Sequence, residues 1–170
     1  MTFTIINCMI HLQNFKSGDL PFLNYELDEI QAGFTSSADS ALQKIKERND
    51  KGDFEAFPVT IFMKEIPVGF FVLDFGNDRL GLTENPKSVL LRSLSINPKF
   101  QGKGIGTISM KNIPEFIENY FPEKAIEEIV LAVNNKNTGA YKTYLKAGYK
   151  DFGKTRPWKN GFQHFLSLKI

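Results

Sequence analysis

The sequence predicts an α+β fold, a mixed sheet with helices on both faces. Three observations lead there. The periodicity of apolar residues switches between two and three-to-four along the chain, in the order strand, helices, three strands, helix, strand, helix, strand. Two β-rich runs, Val59–Met63 and Val68–Phe75, flank Lys64-Glu65-Ile66-Pro67, the pattern of an antiparallel hairpin. An apolar strand, Ser88–Ile96, then runs into a glycine turn and an amphipathic helix.

In chain order, Ile10–Phe15 alternates as an opening strand. Residues 19–51 read as helix in two pieces parted near Gly33, with Ser37 or Asp39 capping the second and Gly52 ending it. After the hairpin, Gly, Asn, Asp and Pro mark 76–87 as a loop. Pro98 ends the pairing of the next strand because it has no N–H. The helix after the glycines places Ile105, Ile108, Ile113, Phe116, Ile117 and Tyr120 on one face, and Pro114 inside it should kink or shorten it. Ile126–Val133 reads as a strand, Thr138–Ala147 as a helix closed by Gly148, and Phe162–Ile170 as the last strand. Residues 155–161, which include Trp158, read as a loop before it. There is no repeat, low-complexity tract or linker, so residues 1–170 are expected to form a single domain.

Composition narrows the function classes. Lys plus Arg exceed Asp plus Glu by only 2, so net charge gives no argument for nucleic acid or a membrane surface. A lone cysteine, Cys8, excludes an intrachain disulfide and fits a reducing cytoplasm. No apolar run approaches the roughly 20 residues of a spanning helix, and the N-terminus lacks a basic segment of the signal-peptide kind. His11 and His164 lack the clustered cysteines or carboxylates of a metal site, so no metal is expected and each reads as a surface or half-buried sheet residue.

The stretch from Leu94 to Thr107 points to a phosphate. Glycines 102, 104 and 106 allow close backbone approach and positive φ, and the following helix offers unpaired N–H groups and a partial positive charge. No Walker A string is present. The spacing Gly102-x-Gly104-x-Gly106, after antiparallel signals, does not match a dinucleotide fingerprint.

Leu94-x-Ile96-x-Pro98-x-x-Gln101-Gly102-Lys103-Gly104-Ile105-Gly106 resembles the acyl-CoA loop of the GNAT superfamily of N-acetyltransferases. Asn137-x-x-Ala140-x-x-x-Tyr144-x-x-x-Gly148-Tyr149 resembles that family's second signature, a helix and a strand further on. The resemblance implies a small, bacterial-type acyl-CoA N-acyltransferase domain, with a mostly antiparallel sheet of six to seven strands. It implies that the amides of Gln101, Gly102, Lys103, Gly104, Ile105, Gly106 and Thr107 cradle the CoA pyrophosphate, with Lys103 either adding attraction or simply solvated. It implies that the backbone of Leu94, Ser95 and Ile96 pairs with the pantetheine amides, in a slot where the strands near Ser95 and Val133 splay. Asn137 resembles the residue that hydrogen-bonds pantetheine, and it suits equally an N-cap for the helix from Thr138, two compatible readings. Tyr144 corresponds to the tyrosine placed near the thioester sulfur, where a neutral phenol can protonate the departing thiolate; the other reading is packing beside Tyr141.

The resemblance further implies direct transfer of acetyl from acetyl-CoA to the primary amine of a small molecule or peptide. Acetylation of a protein N-terminus or lysine would use the same chemistry. A sensor that binds acyl-CoA without turnover is the alternative from another class. Some relatives carry a glutamate base near the position of Arg92, but here no carboxylate lies between Val89 and Asn97. Glu26, Asp28, Glu29 or Asp74 acting through water are the stand-ins. Arg92 is either an acceptor anchor or a salt-bridge partner within the sheet. Trp158 lies where the family borders its acceptor pocket or a dimer interface, so monomer and homodimer both stay open.

Overall fold

In a computed structural model, residues 9–52 and 55–170 are described; Cys8 lies outside them. Seven strands form one sheet in the order β1-β2-β3-β4-β5-β7-β6. They are β1 (Ile10–Asn14), β2 (Ala56–Met63), β3 (Ile66–Asp74), β4 (Ser88–Ile96), β5 (Glu128–Asn134), β6 (Lys150–Trp158) and β7 (Gly161–Lys169). Every neighbouring pair is antiparallel except β4 and β5. The β2–β3 hairpin is tighter than expected. Its strands reach Met63 and Ile66, leaving Lys64 and Glu65 to turn, with Lys64 at φ 54°.

Helices pack on both faces because strand side chains alternate. Phe71 and Leu73 join one apolar cluster with α4 (Ile105–Tyr120) and α5 (Thr138–Lys146). Phe70 and Val72, one residue out of step, join a second with α1 (Leu20–Leu23) and α3 (Ala38–Asp50). The first predicted helical piece is two single turns, α1 and α2 (Glu29–Ala32), separated by extended chain. Asp28 caps α2 by accepting from the Gln31 N–H at 2.8 Å, and Ser37 caps α3 by accepting from Ser40 N–H. The loop expected over 76–87 holds a 3-10 turn at Asn77–Gly81.

Two expectations are corrected. Pro114 does not shorten α4, which runs on to Tyr120. Proline removes one N–H donor, and Ile113, Phe116 and Ile117, buried on either side of it, hold the helix against the sheet. Tyr120 stays half exposed, its ring stacked on Phe116 at 4.5 Å. Residues 155–158 are strand, part of β6, and Trp158 closes that strand rather than sitting in a loop. β6 is an edge strand, mostly solvent-facing, so it needs no apolar alternation and tolerates Gly153 and Pro157.

Two strand irregularities position the site. β4 and β5 pair only at Ser88↔Glu128, Val89↔Ile129 and Leu90↔Val130, then part although both continue. β4 also bulges. Phe70↔Ser95 is followed by Val72↔Arg92, so three steps on β4 match two on β3, and Ser93 sits at φ 56° inside the bulge.

Below the bulge, Arg92 Nη1 donates to Asp74 Oδ2 at 2.7 Å and to Asp78 Oδ2 at 2.9 Å, and Arg48 Nη1 reaches the same Asp78 oxygen at 2.8 Å. Asp74 is fully buried and accepts also from the Gly76 N–H at 2.8 Å. Arg92 is therefore a salt-bridge partner within the sheet. Burial outweighs these bonds and holds the Asp74 carboxyl above its ordinary value. Arg92→Met should lower stability by about 2 kcal/mol, less than a fully buried pair because the Arg92 side chain keeps 39% exposure. A raised folded-state pKa means that ionising Asp74 opposes folding as pH rises through it, and removing the cation deepens that cost. Urea unfolding should show the deficit at neutral pH, and it should shrink as pH falls and Asp74 protonates.

Candidate active site

The site is built on backbone. Gly104 takes the N-cap position of α4 at φ 78°, so no side chain caps the helix, and its first turn holds no acidic residue. Gly102 lies at φ 73° with no heavy atom within 4 Å of where a Cβ would stand. Gly106 serves packing, since a Cβ there would meet Thr143 Cγ2 at 3.3 Å, where α4 approaches α5. The result is an open turn of backbone at the positive end of a 16-residue helix.

A cleft of about 510 Å³ lies over this turn. It brings together Leu94, Ser95, Ile96, Gln101, Gly102, Gly104, Ile105, Gly106, Thr107 and Asn137, ten of the residues predicted from sequence. Two predicted residues lie apart from its lining. Lys103 is exposed and stands 5.4 Å over the Phe100 ring. Tyr144, 8% exposed, packs in the core with its ring 5.8 Å from that of Tyr149, one helical turn beyond Ala140 of the cleft. Burial pushes both phenols above their ordinary value, so Tyr144 stays protonated. Asn137 serves as N-cap, its Oδ1 accepting from the Ala140 N–H at 3.2 Å, and it also lines the cleft.

Sequence reasoning missed the far wall. Leu27, Gln31 and Thr35, around α2, close the cleft opposite the glycine turn. The Gln31 and Gln101 side-chain amides bond each other twice at 3.1 Å, and Gln101 also donates to the Ile96 carbonyl at 2.8 Å. No periodicity marks Gln31 or Thr35. Lys142 and Lys146 were legible, being four apart on the α5 face that carries Thr143 and so able to set a positive field at the rim. Tyr25 hydrogen-bonds Ser95 Oγ at 2.8 Å, and burial lifts its phenol to about 12 despite that bond.

Among the described residues no carboxylate lines the cleft. Glu26, Asp28 and Glu29 are exposed, and Asp28 is committed to its cap. His11 stacks on Phe62 in β1, and His164 Nδ1 lies 2.9 Å from Asp151 Oδ2. Among the described residues no group of three potential metal ligands occurs. No helix among them is long and apolar enough to cross a membrane.

The residues fit a phosphate-bearing thioester that extends an amide arm: an uncapped helix terminus, a glycine turn open to ligand, and a parted strand pair leaving backbone amides unpaired. The sequence matches the Acetyltransferase (GNAT) family over residues 24–149. The chain belongs to the GNAT acetyltransferase family. It is accordingly an acetyl-CoA-dependent N-acetyltransferase. An uncharacterized N-acetyltransferase, YbbJ, of Bacillus subtilis (strain 168) is 35% identical over 163 residues, covering 92% of this chain and 98% of that one. In solved structures the fold is similar to that of aminoglycoside acetyltransferase AAC(6')-Ib in complex with coenzyme A, with a TM-score of 0.70, 20% identity and 94% of both chains covered. It is similar also to spermidine N-acetyltransferase from Vibrio cholerae in complex with CoA and spermine, with a TM-score of 0.68, 16% identity, and 95% and 96% covered.

Gly104→Val would force a branched residue to positive φ at the open glycine turn. The folded variant should bind CoA more than tenfold more weakly in calorimetry, while Lys103→Ala should change affinity by less than threefold. Unchanged affinity in the glycine variant would remove the turn from the cofactor site.

Proposed function

We propose that this GNAT enzyme transfers acetyl directly from acetyl-CoA to the primary amine of a small molecule or peptide, acting as one domain over residues 1–170 in the cytoplasm. The parting of β4 from β5 beside the glycine turn carries this reading. It leaves a gap where backbone groups, not side chains, hold the pantetheine arm. The amides from Gln101 to Thr107 take the pyrophosphate, Lys142 and Lys146 supply a positive rim, and Leu94, Ser95 and Ile96 pair with the pantetheine amides. Seating the arm there displaces the Gln101 side chain from the Ile96 carbonyl. Asn137 reaches the arm from the start of α5. The two similar folds belong to enzymes named for an aminoglycoside and for spermidine, which supports a small amine as acceptor.

Acetyl-CoA supplies the activated acyl group. The protein's part is orientation and proton handling. A lysine-like ammonium, with a pKa of about 10.4, must lose its proton before it attacks. With no carboxylate among the described residues that line the cleft, water carries that proton away, and desolvation between α2 and β4 favours the neutral amine. Tyr144 hydrogen-bonds the leaving sulfur and gives it its proton as the carbon–sulfur bond breaks; the new amide's nitrogen proton returns to the phenolate through water. The raised pKa of Tyr144 keeps its proton in place until negative charge develops on sulfur.

Thiol release from acetyl-CoA, measured with and without a panel of amines, tests the activity. Tyr144→Phe should lower kcat by roughly ten- to a thousandfold while leaving acetyl-CoA binding nearly intact. Wild-type turnover in that variant would make Tyr144 packing only.

For the base, kcat/KM should rise with pH as the acceptor amine deprotonates, and Glu26→Ala and Glu29→Ala should each keep most activity. A loss beyond a thousandfold in kcat at either position, with acetyl-CoA binding unchanged, would identify a dedicated base instead.

A further inference from the structure

Two arginines stand on the sheet face that α1 and α3 cover over its first half. Arg92 pairs with Val72, whose side chain packs with those helices. Arg156 pairs with Gln163, two residues along β7 from Phe165, and Phe165 packs with Leu90 of β4 and Val130 of β5. Leu90 is two residues before Arg92, so both arginines share this face, which is one mouth of the β4–β5 gap.

Arg92 is neutralised where it stands. It belongs to a balanced group of two cations and two carboxylates, with Arg48, Asp74 and Asp78. Arg156 is outside that group, with no carboxylate within 4 Å among the described residues. Its Nε donates to Gln163 Oε1 at 2.8 Å, which leaves both Nη groups without an acceptor among the described residues. Two rings hold the guanidinium in place, Trp158 at 5.0 Å and Phe165 at 5.5 Å from its carbon. Burial first, and then the field of Arg92, push Arg156 below its ordinary value against the opposing pull of Asp78, so these groups share one neighbourhood. Beside them a cavity of about 290 Å³ between α3 and β4 is lined by Lys44, Arg48 and Arg92 against a single carboxylate, Glu47, which already accepts from Gln43.

A polycationic acceptor would need carboxylates turned toward it, and this mouth offers the reverse. A planar guanidinium with a free pair of donors, fixed by aromatic stacking, suits an oxyanion, which it can bind through two parallel hydrogen bonds. The fixed orientation means little side-chain freedom is lost on binding.

We propose that the acceptor is a small amine bearing an oxyanion, a carboxylate or a phosphate, and that the Nη groups of Arg156 take that oxyanion while the amine enters the gap. This rests on the reading of the β4–β5 gap as the place of acetyl transfer. Phe165 and Trp158 set the plane of the guanidinium, and both carboxylates of the group around Arg92 are already engaged, Asp74 by Arg92 and Asp78 by Arg48 and Arg92.

The test pairs each amine that bears an oxyanion, the anionic member, with the counterpart that lacks it: the amino acids with their decarboxylated amines, such as lysine with cadaverine, and O-phosphoethanolamine with ethanolamine. At least one anionic member should be preferred by tenfold or more in kcat/KM. Arg156→Gln should bring that ratio near one by raising KM, and Arg156→Lys should restore part of it. The pair that responds distinguishes carboxylate from phosphate. Equal use of both members throughout the panel, or a ratio that Arg156→Gln leaves unchanged, overturns the proposal. A second measurement does not depend on turnover: NMR of the arginine Nε–H groups in the CoA-saturated protein. The Arg156 resonance should move on titration with the preferred anionic amine and stay still with the counterpart that lacks the oxyanion. Its failure to move with any anionic amine overturns the proposal, whereas movement without thiol release from any amine overturns acetyl transfer at the gap and leaves the oxyanion site standing.

Discussion

The parting of β4 from β5 is the constraint on which the rest of the structure depends. A continuous sheet would satisfy its own backbone and offer a ligand nothing. Here the one parallel pairing is held for three residue pairs and then released. From that point the unpaired groups of both strands must find other partners or water. The bonds of Gln101 to the Ile96 carbonyl and of Tyr25 to Ser95 show how the protein covers part of that exposed edge with its own side chains. The glycine turn and α4 begin where β4 ends, so the positive end of the helix lies beside the open edge. Binding a long, amide-bearing, phosphate-tailed ligand then follows from where backbone lacks partners, with little demand on side-chain identity.

Side-chain chemistry is concentrated on the other mouth of the gap. The Arg48–Asp78–Arg92–Asp74 group ties α3, the turn after β3, and β4 together around a buried carboxylate. Such a group contributes modest net stability, because desolvation offsets most of its attraction, but its geometry is demanding. It fixes the strand just before the bulge, and so fixes where the bulge begins. The two mouths of the gap thus present different physics: fixed backbone dipoles at the glycine turn, and placed charges and aromatic rings on the face opposite.

The sequence made most of this legible because the governing signals are local. Alternation, hairpin residues and the strand–glycine–helix run placed six of the seven strands and both long C-terminal helices. The same run, with Asn137, anticipated ten residues that line one cleft. β6 escaped because an edge strand facing solvent has no apolar period to detect, and Pro157 and Gly153 look like loop residues there. The extended chain that splits the first helical piece into the single turns α1 and α2 escaped, because turns this short carry no periodicity and are held by tertiary contact, Leu23 by the second apolar cluster. The walls supplied by Gln31 and Thr35 could not be read, since they meet the glycine turn only across some seventy intervening residues. The salt-bridge role of Arg92 was readable only as one of two options, because the identity of its partners is set by register.

The bulge at Ser93 has a further consequence, for how this chain can diverge. Side chains on a regular strand alternate strictly, so without the extra residue Ser95 would face the α4 side and Leu94 the α1 side. With it, Ser95 meets Tyr25 while Leu94 and Ile96 pack toward α4. One inserted residue acts as a parity switch on the segment between Arg92 and Asn97. Substitutions there change the quality of a contact, but a single-residue deletion or insertion exchanges the two faces and exposes what was packed. Drift in this stretch should therefore run through replacement, with length held constant, whereas an exposed turn outside the sheet carries no such parity and can change length. The dividing line between the two regimes is geometric, and it falls at a serine with positive φ.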